Sequence, residues 1–212
     1  MLRKLINTVR NAILGTTLLE FTGHPGDRAL YLTFDDGPSP GITDKLLDLF
    51  QQQGVKATFF VIGTKVDRYP ELTKRIIDDG HTIGNHSYSH PNFDTLPKAA
   101  QFAEIDKASK AIATHTGVSS NLFRVPRGRW PLSLLIRLKA RKVRCIHWTT
   151  DSMDYTDTDP DSITRRVVNS GLKPGQVLLF HDDASLCLDV MERLIPQLKA
   201  MNFSLKAMES TK

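Results

Sequence analysis

Five places along the chain hold residues able to move protons or grip a cation. Asp35 and Asp36 stand side by side where the apolar run ALYLTF ends, just before Gly37-Pro38. The stretch NHSYSH supplies His86 and His90, and LFRVP supplies Arg124 just ahead of Arg127-Gly128. Asp151 and Asp154 follow VRCIHWTT, and His181-Asp182 close QVLLF. Adjacent carboxylates repel unless a cation or a proton separates their roles. The aspartate pair therefore asks for a metal, a catalytic base, or only a turn. His86 and His90 are four apart, the spacing that puts two imidazoles on one side of a helical turn. Two imidazoles and a carboxylate hold Zn²⁺ with a position open for water. The same set holds Fe(II) in oxygenases, and solvated or capping histidines are a third reading of the spacing alone. His24, His81, His115 and His147 lack acidic company and read as structural or exposed.

The elements that must position these groups alternate. Strand-like runs fall at 29–34, 56–62, 81–86, 122–126, 143–151, 176–181 and, more weakly, 203–208. Helical patterns fill 43–53, 70–79, 98–117, 131–142, 162–170 and 188–202. Thr43 reads as an N-cap, Gly54, Gly117 and Gly171 as stops, and Pro70 as a first-turn residue. Pro196 should kink or divide the last helix. Seven strands interleaved with helices indicate an α/β domain with a parallel sheet. The pattern does not decide between an open sheet and a barrel, but in both the chemistry belongs at the C-terminal ends of the strands. The five polar groups sit at or beside such ends. Any one of them has a dull explanation as a polar loop; five together point to a site.

At 212 residues, with 40% apolar and 24% charged side chains, the chain can bury one sizeable core. A formal charge of +5 suits anionic surfaces or substrates. Zinc-finger spacings and aromatic-basic RNA motifs are absent, so nucleic acid is not an expected partner. Two cysteines, Cys145 and Cys187, are too few for a disulfide framework. Residues 1–22 are set apart as an amphipathic segment, with Leu2, Leu5, Ile6, Val9, Ile13 and Leu14 at helical spacing, and 23–212 as one catalytic domain. No run is long enough for a spanning helix. A cleaved leader would leave the first strand unshielded, so the segment reads as a packed helix or an interfacial anchor. The expected location is cytoplasmic, with peripheral contact on the inner membrane face through residues 1–22. The basic run 137–144 reads as a solvated helix face.

TFDDGP, HSYSH, RVPRG, DSMDY and LLFH, in this order and at these separations, resemble the five motifs of the NodB-homology polysaccharide deacetylases, carbohydrate esterase family 4. The resemblance runs from about residue 29 to the end. It implies a distorted (β/α)7 barrel and a hydrolase that removes an N-acetyl or similar acyl group from an amino sugar in a glycan or glycolipid. It also implies one divalent cation, zinc first, with cobalt, manganese or nickel as alternatives. Carried over position by position, Asp35 is the general base, and Asp36, His86 and His90 are the metal ligands. Arg124 braces the base, His181 is the general acid, Asp154 orients it, and Leu179 lines the acyl pocket. Two positions depart from the family pattern: Arg127, where an aromatic residue is usual before Gly128, and Tyr155, where tryptophan is preferred. The resemblance implies a backbone N–H at residue 127 as the oxyanion donor, which Arg127, not being proline, can supply. The Arg127 side chain, with Arg129 and Trp130, is expected to form either a platform for a substrate phosphate or carboxylate or a surface ion pair with local acids. The alternatives carried forward are a catalytically silent glycan-binding domain on the same fold, an Fe(II) oxygenase using the same ligands, and a deacylase of a lipid-linked phosphorylated sugar at the membrane surface.

Overall fold

The computed structural model describes residues 18–24 and 28–210. The central strand, β1 (Ala29–Asp35), is buried at every position, as a parallel strand covered on both faces must be. Its alternate residues go to two different places. Leu30, Leu32 and Phe34 face the helices in the largest apolar cluster. Ala29 and Tyr31 face inward with Phe60, Leu122, Ile146, Val177 and Met208. Thr33 and Asp35 continue that inner column, so the alternation alone sends Asp35 into the interior.

Around β1 the strands are β2 (Thr58–Val61), β3 (Thr82–Asn85), β4 (Leu122–Phe123), β5 (Arg144–Cys145), β6 (Thr150–Asp151), β7 (Val177–His181) and β8 (Ser204–Lys206). They run parallel in the order β5-β4-β3-β2-β1-β7-β6. β8 pairs with the start of β1, at Ala29 to Tyr31, on the expected weak last strand. The helices are α1 (Thr43–Gln53), α2 (Gly63–Arg68), α3 (Pro70–Asp78), α4 (Lys98–Thr116), α5 (Leu132–Ala140), α6 (Pro160–Val168) and α7 (Leu186–Ala200).

The fifth expected strand, 143–151, is in fact two, and the break is what curls the sheet. β5 pairs with β4 at one edge and β6 with β7 at the other. Between them, the Ile146 N–H donates to Phe123 O at 2.9 Å, and the Thr149 N–H donates to Val177 O at 2.9 Å. One segment thus leaves one edge and joins the other, so the sheet curls into a distorted, incompletely closed barrel whose edge strands β5 and β6 do not pair with each other. A single straight strand cannot bond both edges in the same register. Glu20 sits at this seam, donating its N–H to Cys145 O and accepting from the His147 N–H. Leu18 and Leu19 pack with Leu134, Leu135 and Leu138 of α5. The amphipathic pattern expected over residues 1–22 lies, as far as residue 17, outside the described residues.

Two local expectations are corrected, and one short helix is added to those expected. Helix α7 runs unbroken through Pro196, held by the buried face Val190, Met191, Leu194, Ile195 and Leu198. Thr43 does not cap α1; its hydroxyl is taken by Ser39 N–H and Asp182 instead. Helix α2 has only six residues, too few for a periodic apolar pattern to show.

Candidate active site

The inner column of β1 meets a buried arginine. Arg124 follows β4 and has no exposed surface. Its Nη1 lies 2.7 Å from Asp35 Oδ1 and 2.8 Å from Thr33 Oγ1. The guanidinium stacks 4.1 Å from the Phe60 ring centroid, so aromatic faces and one carboxylate stand in for its hydration. Burial pushes the Asp35 carboxyl above the ordinary carboxylate range, against the downward pull of the Arg124 charge. Arg124 is itself lowered by burial, against the upward pull of Asp35.

The backbone of Asp36 is left-handed, with φ of 75°. Its Oδ1 lies 3.5 Å from His86 Nε2 and 3.3 Å from His90 Nε2. The three side chains offer donor atoms within 4.8 Å of one another. The two histidines converge without a helical turn, which corrects the spacing argument. Ser87 and His90 both have positive φ, at 71° and 56°. The loop is shaped by Asn85, whose Oδ1 accepts the Ser87 N–H, and by Glu104 of α4, which accepts the Tyr88 and Ser89 N–H groups and the Ser89 hydroxyl.

A divalent cation fits this cluster on two observations. Asp36 Oδ1 is buried and has no hydrogen-bond partner among the described residues, an expensive arrangement unless a cation takes that place. His86 Nδ1 lies 2.9 Å from Arg124 O, and a carbonyl can only accept, so Nδ1 carries the hydrogen. The Nε2 lone pair is then presented to Asp36, in the manner of metal-ligating histidines fixed by an outer partner. Burial pulls His86 down to about 3, outweighing the Asp36 charge, so the ring is the neutral ligand a metal needs.

Across the pocket, at the end of β7, His181 is gripped twice by Asp154. Its Nδ1 lies 2.8 Å from Asp154 Oδ1, and its backbone N–H donates to Oδ2 at 2.8 Å. Burial disfavours the imidazolium, but the Asp154 hydrogen bond and the charges of Asp35, Asp154 and Asp36 outweigh it and raise His181 to about 9. Tyr155 stands edge-on to its ring at 5.4 Å, and nearly buried Leu179 lines the wall. The cavity of about 350 Å³ is also lined by Arg127, Gly128, Trp148, Asp151 and Asp183.

One sequence-predicted site residue is not brought in. Trp130 stands edge-on to Phe123 at 5.8 Å in the apolar cluster under α5, and Trp148 takes the place at the pocket wall. Trp148 also explains Gly128: a Cβ there would come within 2.3 Å of the indole. Sequence reasoning missed Trp148 because it lies in the segment that leaves its strand to cross between sheet edges. It also gave no role to Asp182, whose Oδ2 accepts the Thr43 hydroxyl at 2.6 Å while Thr43 accepts the Ser39 N–H. Burial pushes the Asp182 carboxyl up to about 7. A side chain at Gly37 would strike it at 2.2 Å. The turn after the aspartate pair is thereby pinned from below.

A family model described as polysaccharide deacetylase matches residues 22–146. The chain is 34% identical over 183 residues to a peptidoglycan-N-acetylglucosamine deacetylase of Bacillus cereus, covering 84% of this chain and 66% of that protein's length. It is 34% identical over 195 residues to a chitooligosaccharide deacetylase of a Bradyrhizobium species, covering 85% of this chain and 89% of that one. A crystal structure of a peptidoglycan N-acetylglucosamine deacetylase superposes with a TM-score of 0.87 at 30% identity, over 92% of this chain and 95% of that one. With this sequence likeness, this curled parallel sheet and this site, the chain belongs to the polysaccharide deacetylase family, the NodB-homology proteins of carbohydrate esterase family 4.

Proposed function

We propose that the chain is a metal-dependent hydrolase that removes the N-acetyl group from an amino sugar of a poly- or oligosaccharide. The observation that carries this is the arrangement of three units on one pocket: the Asp36–His86–His90 cluster, the Arg124-braced Asp35, and the Asp154–His181 pair. The two relatives named for glycan deacetylation support it. Two imidazoles with one carboxylate make zinc the best-matched ion. A divalent ion held by Asp36, His86 and His90 would lower the pKa of a bound water and polarise the amide carbonyl.

The chain's own groups do the proton work. Asp35 Oδ1 is held by Arg124, while Oδ2 lies 3.7 Å from His86 Nε2, toward the ligand cluster. Asp35 therefore takes the proton of the attacking water at Oδ2, and its raised pKa makes it a stronger base. The backbone N–H of Arg127, on the pocket rim, donates to the oxyanion that develops on the amide oxygen. His181, kept cationic by Asp154, delivers a proton from Nε2 to the departing amine. Leu179 and Tyr155 pack around the acyl methyl. Unlike the oxygenase alternative, this reading gives Asp35, Arg124 and His181 each a task.

The test is acetate release from acetylated chito-oligosaccharides by the purified protein. Activity should disappear on chelation and return with Zn²⁺. Undiminished turnover after exhaustive chelation would refute the metal-dependent reading, and no release from any acetylated glycan would favour the silent binding domain.

A further inference from the structure

Acidic residues are spread unevenly along the chain. From Lys107 to Thr150 there are ten lysines and arginines and no aspartate or glutamate, so the rest of this net +5 chain is acidic. Helix α5 lies in the middle of that stretch. Some of the cations around it are answered: Arg129 lies 3.5 Å from Asp94, Arg141 2.7 Å from Asp106, and Arg144 2.8 Å from Glu20. Arg137, Lys139 and Lys142 are exposed and have no carboxylate partner among the described residues. Arg137 lies over the Phe102 ring of α4, 3.9 Å from its centroid.

The same helix exposes aliphatic side chains. Leu134, Leu135 and Leu138 are buried beneath it, whereas Leu132 is 41% and Ile136 49% exposed. Leu132, Ile136 and Ala140 follow one another at four-residue spacing, which makes an outward ridge along the helix. Lys139 falls on one flank of that ridge and Arg137 on the other. The chain ahead of the first described residue arrives here as well, since Leu18 and Leu19 share a cluster with the buried face of α5. Residues 1–17 carry Arg3, Lys4 and Arg10, no acidic residue, and six aliphatic residues at helical spacing. Two acid-free stretches therefore meet at α5.

A soluble polyanion would use the cations and waste the ridge. An apolar protein surface would use the ridge and leave the cations unpaired. An anionic bilayer answers both, because aliphatic side chains enter between the headgroups while long basic stems reach the phosphates. We propose that the outer face of α5 docks on an anionic phospholipid surface, with Leu132 and Ile136 entering it and Arg137, Lys139 and Lys142 binding its phosphates. Among the described residues no helix is long and apolar enough to cross a membrane, and the docking is peripheral. The helix starts four residues beyond Gly128 of the pocket wall, so the docked chain keeps its pocket near that surface.

The test is flotation of the full chain with vesicles of phosphatidylglycerol and phosphatidylcholine, and with phosphatidylcholine alone. The chain should rise with the anionic vesicles, stay behind with the neutral ones, and be released as salt is raised. Combining Arg137→Gln, Lys139→Gln and Lys142→Gln should weaken partitioning about 10- to 100-fold. Combining Leu132→Ser with Ile136→Ser should weaken it about tenfold. Thermal denaturation checks that both variants remain folded. The two native cysteines are buried, so Ile136→Cys offers one exposed thiol for a polarity-sensitive fluorophore. Its emission should move to the blue with anionic vesicles only. Flotation undiminished in both combined variants, or a label that stays in water while the chain floats, would overturn α5 as the contact and assign it to residues 1–17. No flotation, with heparin binding that Leu132→Ser and Ile136→Ser leave unchanged, would overturn the lipid and favour a soluble polyanion. Neither readout involves acetate release, so this inference and the deacetylase reading fail separately.

Discussion

The base and acid sides of the pocket set their charges by opposite outcomes of one contest. At Asp35, inside the barrel, burial wins over the neighbouring Arg124 cation and the carboxyl is raised. At His181, on the rim of β7, the Asp154 bond and nearby carboxylates win over burial and the imidazole is raised to about 9. The difference lies in what surrounds each pair. Asp35 and Arg124 share an interior walled by Phe60 and Trp148, where solvation lost by both ions is hard to recover. His181 keeps some solvent access and is held by two carboxylate bonds. Both shifts serve the proposed chemistry, giving a stronger base and an acid still charged at neutral pH.

The most severe way to break the base side is to remove its buried cation. Arg124→Met should destabilise the fold by about 3–5 kcal/mol, because Asp35 would be left as an uncompensated buried charge. The double variant with Asp35→Asn should recover much of that loss in thermal denaturation. Failure of the double variant to recover stability would mean that the pair is not the source.

The acid side should break more gently. The charged form of a group raised to about 9 is present below that pH and lost as the pH climbs through it. Activity should therefore fall on an alkaline limb near 9. In Asp154→Asn that limb should move toward the ordinary imidazole range, costing about tenfold in kcat near pH 8. A limb that stays in place would show that Asp154 only positions the ring. Smaller still is the contrast between two tryptophans. Trp148→Leu should raise KM several-fold, whereas Trp130→Phe should cost about 1 kcal/mol of stability and leave KM alone.

Those tryptophans mark where the sequence stopped being readable. Period-two alternation in ALYLTFD carried real information, since it sends Asp35 inward and Phe34 outward in the folded chain. The order of most strands and helices was equally legible, because each has a local pattern; the six-residue α2 and the division of 143–151 into β5 and β6 were not. Nor was the curling of the sheet into an incomplete barrel. It depends on segment 143–151 abandoning one edge for the other, a long-range choice with no local signature, and Trp148 enters the pocket only through that crossing. The convergence of His86 and His90 was anticipated for the wrong reason: left-handed residues in a loop bring them to Asp36, where helical spacing had been expected. Asp182 looked like a polar strand end because nothing nearby in sequence reveals that Gly37 and Thr43 fold over it.

The account stands or falls on the division of labour between adjacent carboxylates, with Asp36 binding the cation and Asp35 left free as base. Metal content after zinc loading and desalting, measured beside acetate release, tests this directly in Asp35→Asn and Asp36→Asn. Asp35→Asn should retain one ion per chain and lose activity by about 10²- to 10⁴-fold, while Asp36→Asn should lose the ion and the activity together. An Asp36→Asn protein that keeps its zinc, or an Asp35→Asn protein that sheds it, would contradict the assignment.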